Sequence, residues 1–455
     1  MSDRTARLIL GVLAGLAVVQ ALATDLPLVA GGRFWSDAAT YRAMAESLAF
    51  DLDLEYRSED LARVKRVYPQ GPQGVFLKRV PDGEGGDRLV YGKALLYPLV
   101  GAPFVRVLGP DRGLLLLNAL VLSLALGLGY AFRRRFCSPA GALSSVLAVF
   151  VLGVVPVYLL WLTPEILNLG LITAGLVSWR RGRGGLSALL LGLAAYSKYP
   201  NALLALPLVL DALALPGARG RRVREAAKRA AVVLAAMAAG FGATWLATGE
   251  LNYQGGERKT FYDRYPLEAG VTFDSAGVWM TTDHMGPLVA GRDEDRQTPR
   301  VAPPRPAEEL RRSLVLNLAY FWIGRFGGAL PYFPGVVLAA LALLVVGPRD
   351  RAGGLALLAL LVSALAYVVI IPDNWYGGAG AIGNRYFVNL VPLGLVLLPR
   401  GRGAWVALGA ALASAVWLVP VLVSDPAGLP APSRRAHDAR RPLGLHRGLA
   451  PSSSV

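Results

Sequence analysis

The sequence predicts an all-α polytopic membrane protein, with about eleven transmembrane helices and two large extracytoplasmic loops that carry short interfacial helices. Three observations carry this reading. Hydrophobic residues make up 54% of the chain against 17% charged, the mean hydropathy is +0.45, and apolar runs recur from one end to the other. Those runs are too long and continuous for barrel strands, which leaves helices as the way to satisfy the backbone in lipid. The basic residues, finally, gather in short hops between the runs: Arg133-Arg134-Arg135, Arg180-Arg181-Gly182-Arg183, Arg219 to Arg229, Arg349 with Arg351, and Arg400 with Arg402. Such hops are the mark of cytoplasmic loops.

The net charge of +16 therefore reports topology, and nucleic acid is not an expected partner. Only six of the 47 basic residues are lysine, which fits an Ala/Gly/Arg-rich sequence bias. The single cysteine, Cys137, leaves no intramolecular disulfide to form and reads as structural. The first apolar run, 8–23, lacks a small-x-small cleavage site and reads as a retained span of a cell (inner) membrane protein.

Arg4 and Arg7 place the N-terminus inside, so span one leads to an outer loop, 31–111. Span two (113–132) returns to the arginine triplet. Spans three (140–161) and four (166–179) form a hairpin whose outer tip is Thr163-Pro164-Glu165. Two short apolar stretches, 186–196 and 202–215, flank Ser197-Lys198-Tyr199-Pro200-Asn201. Both outer flanks are basic, so the pair reads as two short helices meeting at an outward tip; one long span would put Arg221, Arg222 and Arg224 outside. Span seven (230–246) leads to the second outer loop, 249–312. The apolar stretch 314–329 is interrupted by Arg325 and reads as interfacial. Spans 335–346, 355–371, 387–398 and 404–423 complete a multi-span domain, 1–423, and the Pro-rich tail 424–455 reads as disordered.

The outer loops hold nearly all the chemistry-capable side chains. Residues 35–48 read as an amphipathic helix lying flat on the membrane, with Tyr41, Met44, Ala45 and Leu48 as its apolar stripe. Asp37 at its start reads as a helix cap on helix statistics alone, and as a base on its place directly after span one. Asp25 either ends span one or serves as that base. Asp51, Asp53, Glu55, Glu59 and Asp60 alternate with Arg57, Arg63 and Lys65 as a solvated face. Tyr91-Gly92-Lys93 opens a second interfacial element, with Lys93 facing either a lipid headgroup or a substrate phosphate. Glu165 either starts span four or is a working carboxylate at the bilayer surface. Lys198, near membrane depth, needs an anion. The glycine-rich segment 373–386 delivers Arg385 and Tyr386 to the start of a span, as an anchor or as a phosphate grip. It lacks the Gly-Lys-Ser/Thr of a nucleotide-binding loop. His284 stands apart from the other two histidines, no metal-ligand spacing occurs, and no cofactor is called for, with a divalent metal left open.

Taken together, these features resemble the GT-C superfamily of integral-membrane glycosyltransferases, in particular bacterial members of the protein O-mannosyltransferase and aminoarabinose-transferase type. The likeness rests on Ser36-Asp37-x-x-x-Tyr41 after span one, Tyr97-Pro98 before span two, the Lys198 hairpin, and Gly383-Asn384-Arg385-Tyr386. It implies transfer of a sugar from a polyprenyl-phosphate-linked donor, on the extracytoplasmic face, to a protein, lipid or glycan acceptor. Family members often carry an acidic pair in the first loop, whereas here Asp37 is followed by Ala38, so Asp37 and Asp25 both stay candidates for the base.

The residues suit that chemistry in their own right. A polyprenyl phosphate is already a good leaving group, so one base and a set of phosphate-holding cations suffice, whereas glycoside hydrolysis needs two carboxyls. Asp37, Asp25 or Glu165 supplies the base; Arg385, Lys198 and Lys93, with Tyr386 beside them, supply the donor-phosphate site. A single base opposite the leaving phosphate implies inversion. The competing readings are a transporter or lipid flippase, which would place charges inside spans, and a glycan polymerase of the cell envelope.

Overall fold

The structure, a computed structural model, describes residues 1–29, 36–82, 85–281, 289–294, 305–325, 327–347, 350–378 and 381–424. Trp35, His284, Arg349, Ala379, Gly380 and the tail from residue 425 lie outside the described residues, and so do the expectations that fall on them.

The chain begins with α1 (Asp3–Ala23), whose first turn is capped by Ser2 accepting from the Thr5 amide. A helical turn, α2 (Leu26–Val29), precedes the first outer segment: α3 (Ser36–Phe50), α4 (Ser58–Val67), the hairpin β1 (Val75–Pro81) and β2 (Asp87–Tyr91), and α5 (Leu96–Leu108). α6 (Pro110–Arg133) starts with proline at its first position, where a missing amide costs nothing. α7 (Pro139–Phe150), α8 (Glu165–Arg180), α9 (Gly184–Ser197), α10 (Leu206–Ala212) and α11 (Arg219–Thr248) follow. The second outer segment holds β3 (Arg258–Phe261), α12 (Phe273–Ala276), β4 (Val278–Thr281) and β5 (Val289–Arg292). α13 (Ala307–Ile323), α14 (Ala329–Tyr332), α15 (Pro334–Val346), α16 (Arg351–Ile370), α17 (Leu393–Leu397) and α18 (Gly403–Ser424) complete the described chain.

This is a multi-pass, mostly helical membrane protein. Among the described residues, five helices, α1, α6, α11, α16 and α18, are long and apolar enough to cross a bilayer. Shorter apolar helices, among them α5, α7, α9 and α15, pack beside them. The arginine hops meet at one end of the bundle: Arg134 Nε lies 2.9 Å from Asp3, Arg180 2.8 Å from Asp350, and Arg351 donates to the Leu210 carbonyl. The segments that carry α3 to α5 and β1 to β5 cover the other end.

Four features differ from expectation. The outer loops are not purely helical: β1 and β2 from the first loop join β3, β4 and β5 from the second in one antiparallel sheet, ordered β2-β1-β3-β4-β5. Leu77 pairs with Lys259 across the seam between loops. Second, α3 is packed within the protein. Ala39, Ala43, Ala45 and Ala49 keep it thin enough to be enclosed on several sides, against α5, α6 and β1, and Thr40 Oγ1 accepts from the Phe76 amide at 3.0 Å. Third, the acidic run is not wholly solvated, since Asp60 is buried, accepting from the Arg57 amide and pairing with Arg63. Fourth, two expected spans are broken. Residues 140–161 leave the helix after Phe150, where the Val154 amide turns to the Tyr332 carbonyl and Pro156 prevents resumption of the ladder. Residues 387–398 are a buried 3-10 turn followed by the five-residue α17, and Arg133 donates to the Leu395, Leu398 and Pro399 carbonyls that this irregular backbone leaves free.

The Lys198 hairpin follows the expected form, two short helices turning through a 3-10 segment, Tyr199–Ala205. The C-terminal half of α13 meets residues 372–375, through the Asn317 side-chain amide on the Pro372 carbonyl and Phe321 against Trp375.

Candidate active site

Asp37 sits in the first turn of α3, and its carboxylate does not turn back to cap that helix. One oxygen lies 2.5 Å from Lys93 Nζ and the other 2.7 Å from Arg385 Nη2. Arg385 reaches on through Nε, 3.3 Å from Glu165 Oε1, and the same Glu165 oxygen is paired with Lys198. The result is one row, Lys93–Asp37–Arg385–Glu165–Lys198, in which three cations alternate with two carboxylates. Its members come from five separate stretches of sequence and are all largely buried; the Glu165 side chain is 1% exposed.

Each member is held by its own local structure. The start of α3 is tied to the turn before β1 by the Ser36 amide donating to the Gln73 carbonyl at 2.6 Å. Lys93 follows β2, where the Gly92 amide donates to the Phe76 carbonyl, and its ammonium stands 3.9 Å from the centre of the Phe76 ring. Glu165 opens α8 after Thr163-Pro164, and its Oε2 is buried with no hydrogen-bond partner among the described residues. Lys198 ends α9 and lies 5.0 Å from the Tyr386 ring, which is itself stacked on Tyr367 at 5.0 Å and 6°. Arg385 begins a 3-10 turn capped by Asn384, whose side-chain oxygen accepts from the Tyr386 and Phe387 amides. The Arg385 amide donates to the Tyr376 carbonyl, and the next residue, Gly377, has φ +97° with room for a Cβ only 2.6 Å from the arginine's own Cβ. Glycine is what lets the loop pass so close at that backbone angle.

Burial alone would raise the Asp37 carboxyl, but the Lys93 and Arg385 cations outweigh it and hold the group well below the usual carboxylate range. Lys93 moves the other way. Burial pushes its ammonium down to about 8, with Asp37 opposing the shift and Arg258 adding to it. Asp37 is thus held ionised between the Lys93 and Arg385 cations.

Arg258 is the residue that sequence reasoning missed. It lies on β3, its guanidinium 5.0 Å from the Phe76 ring that Lys93 also covers, and its side chain donates to the Gly92 carbonyl at 3.4 Å. No carboxylate pairs with it among the described residues. Cations thus outnumber carboxylates in the site by four to two, an arrangement suited to an anionic group brought in from outside. Nothing in the spacing of Gly255-Gly256-Glu257-Arg258-Lys259 distinguishes this arginine from its neighbours; only the pairing of β1 with β3 places it.

Of the other sequence candidates, Tyr386 lies beside the row, as described, whereas Asp25 is outside it. Asp25 is exposed and accepts from the Leu28 amide at 3.1 Å, as a cap for α2. Tyr41, one turn beyond Asp37, is buried edge-on against Tyr97 at 5.6 Å, and Tyr97 donates to Asn118. Among the described residues no three His, Cys, Asp or Glu side chains gather as a metal-binding group.

Comparison with solved structures finds a likeness to the crystal structure of ArnT from Cupriavidus metallidurans bound to undecaprenyl phosphate. The two are 16% identical with a TM-score of 0.46, over 92% of this chain and 63% of that one, so this chain spans under two thirds of that protein's length. No family model matches the sequence, and no curated protein matches it.

Proposed function

We propose that this chain is a GT-C-type membrane glycosyltransferase that moves a sugar from a polyprenyl-phosphate-linked donor to an acceptor hydroxyl on the extracytoplasmic face, with inversion. The observation that carries the reading is the row of Lys93, Asp37, Arg385, Glu165 and Lys198, with Arg258 beside it, gathered at the end of the bundle away from the arginine hops.

In the resting site the two carboxylates occupy the cations. The donor phosphate takes their place on Arg385, Lys93 and Lys198, and Asp37, relieved of its counter-charges, regains the basicity to accept a proton. The acceptor oxygen attacks the anomeric carbon as its proton passes to Asp37. The bond from that carbon to the phosphate oxygen breaks, and its electron pair stays on the departing phosphate, where the cations stabilise the growing charge. Glu165 is a positioning residue that holds Lys198 and Arg385 in line. Tyr386 braces the cations with its ring face.

The test is incubation of the purified protein with radiolabelled polyprenyl-phosphate sugars and envelope acceptor fractions. Transfer by the wild type, reduced about a hundredfold or more in a folded Asp37→Asn variant, is the expected result, since a positioned base contributes that much. Absence of transfer from every lipid-phosphate sugar would overturn the reading. Near wild-type turnover in Asp37→Asn would move the base to Glu165 or Asp25.

A further inference from the structure

A second charged feature lies at the far end of the molecule and takes no part in that chemistry. α6 runs from Asp111, which pairs with Arg42 of α3 at 2.6 Å, to Arg133, a distance of about 33 Å at 1.5 Å per residue. At its far end a cleft of about 630 Å³ opens between α1 and α6. Its floor is apolar, made by Leu10, Gly127 and Ala131, and its rim carries Arg7, Arg134 and Arg135. A Cβ at Gly127 would meet nothing within 4 Å, so the missing side chain is part of what opens the cleft.

One carboxylate stands against these three arginines. Asp3 lies 2.7 Å from Arg7 and 2.9 Å from Arg134, and accepts from the Tyr130 hydroxyl at 2.5 Å. Arg134 is further committed to the Cys137 carbonyl, whereas the exposed Arg135 side chain makes no polar contact among the described residues. The rim thus carries a surplus of two positive charges where the arginine hops gather at the ends of spans. Basic pockets between spans at that depth suit acidic lipid headgroups, and the apolar floor suits the chain attached to one.

We propose that this cleft binds an anionic phospholipid of the leaflet opposite the Asp37 row, its phosphate on Arg7 and Arg135 and its acyl chain along Leu10, Gly127 and Ala131. The surplus of two charges favours a headgroup with two phosphates, of the diphosphatidylglycerol class. The site is separate from the donor site and independent of the function proposed above.

Native mass spectrometry of the detergent-purified full chain tests this, with tetraoleoyl cardiolipin, dioleoyl phosphatidylglycerol or dioleoyl phosphatidylcholine added. Cardiolipin is expected to be retained about fivefold or more over phosphatidylcholine, with phosphatidylglycerol between, because each basic residue near an anionic headgroup is worth roughly that factor. The preference is expected to fall away in Arg7→Gln/Arg135→Gln, and also in Gly127→Leu, which fills the floor while leaving every charge in place. Both variants should keep the wild-type Tm in phosphatidylcholine. Equal retention of the three lipids by the wild type, or an unchanged preference in either variant, overturns the proposal. Inorganic phosphate raising Tm as much as cardiolipin does would reassign the cleft to a free anion.

Discussion

Lys93 is the residue whose behaviour is most open to measurement, because burial brings its ammonium down to about 8. The sign is set by what the cation does. If the protonated amine grips the donor phosphate, donor capture is full below pH 8 and is lost as pH rises through that value. The profile of kcat/KM for the donor is expected to fall about tenfold per pH unit above about 8, since it reports the free enzyme. In the profile of kcat the limb should lie higher, because bound phosphate stabilises the ammonium. Lys93→Arg, charged throughout that range, should remove the limb; a limb that persists unchanged would belong to another group. Arg385 makes a different claim. It faces Asp37 and Glu165 with different nitrogens, which a lysine cannot do, so Arg385→Lys should lower donor kcat/KM about tenfold and Arg385→Ala further. Because charge grows on the phosphate as the sugar leaves, the loss should appear in kcat as well as in KM. Steady-state kinetics with each substrate varied in turn would show it, and an effect confined to the acceptor's KM would place Arg385 in the acceptor site.

At the scale of elements, sidedness is the claim to test. In a Cys137→Ala background, single cysteines at Glu59 and Glu257 should react with a membrane-impermeant thiol reagent on intact cells, while cysteines at Arg181 and Arg224 should be shielded until the membrane is opened. Labelling at 224 from outside would break the reading of α9 and α10 as a short hairpin. Much at this scale was legible in the chain itself, because apolar length and arginine hops are local signals: α1, α6 and the Lys198 hairpin stand where those signals put them. What local signals could not carry was irregularity made by packing. Residues 387–398 look like a span by hydropathy, and only the Arg133 guanidinium, 262 residues away from Leu395, explains how a non-helical backbone survives there. The enclosure of α3 was hidden for a related reason, since a stripe of alanines reads the same whether it meets lipid or a neighbouring helix.

For the whole molecule, the two outer loops act as one cap. Besides the β1–β3 ladder, Lys78 pairs with Glu250 at 2.6 Å, Lys65 with Glu268, and Arg79 with both Glu257 and Asp274. Hydrogen exchange in Val75–Pro81 and Arg258–Phe261 is therefore expected to proceed as one cooperative opening, and Arg79→Ala should quicken both segments together. Independent exchange of the two would mean that the seam is not a unit. Strand signals in both loops are short and broken by charge, so the sheet, and with it Arg258, was beyond reach of the sequence. The members of the row stood out in the chain by type and neighbourhood, but their alternation comes from five stretches far apart in sequence that meet only in the fold. The same ladder sets a schedule for the protein's birth. About 180 residues separate the paired strands, and at roughly 5–20 residues per second a ribosome takes about 10–35 s to deliver the second after the first. For that interval the β1–β2 hairpin waits with one edge bare, and Lys78 and Arg79 on that strand provide the charge that discourages other chains from adding to it. The row around Asp37 has a longer wait, because Arg385 is made more than a hundred residues after β3, so a nascent chain has no assembled row until more than four fifths of it has been made.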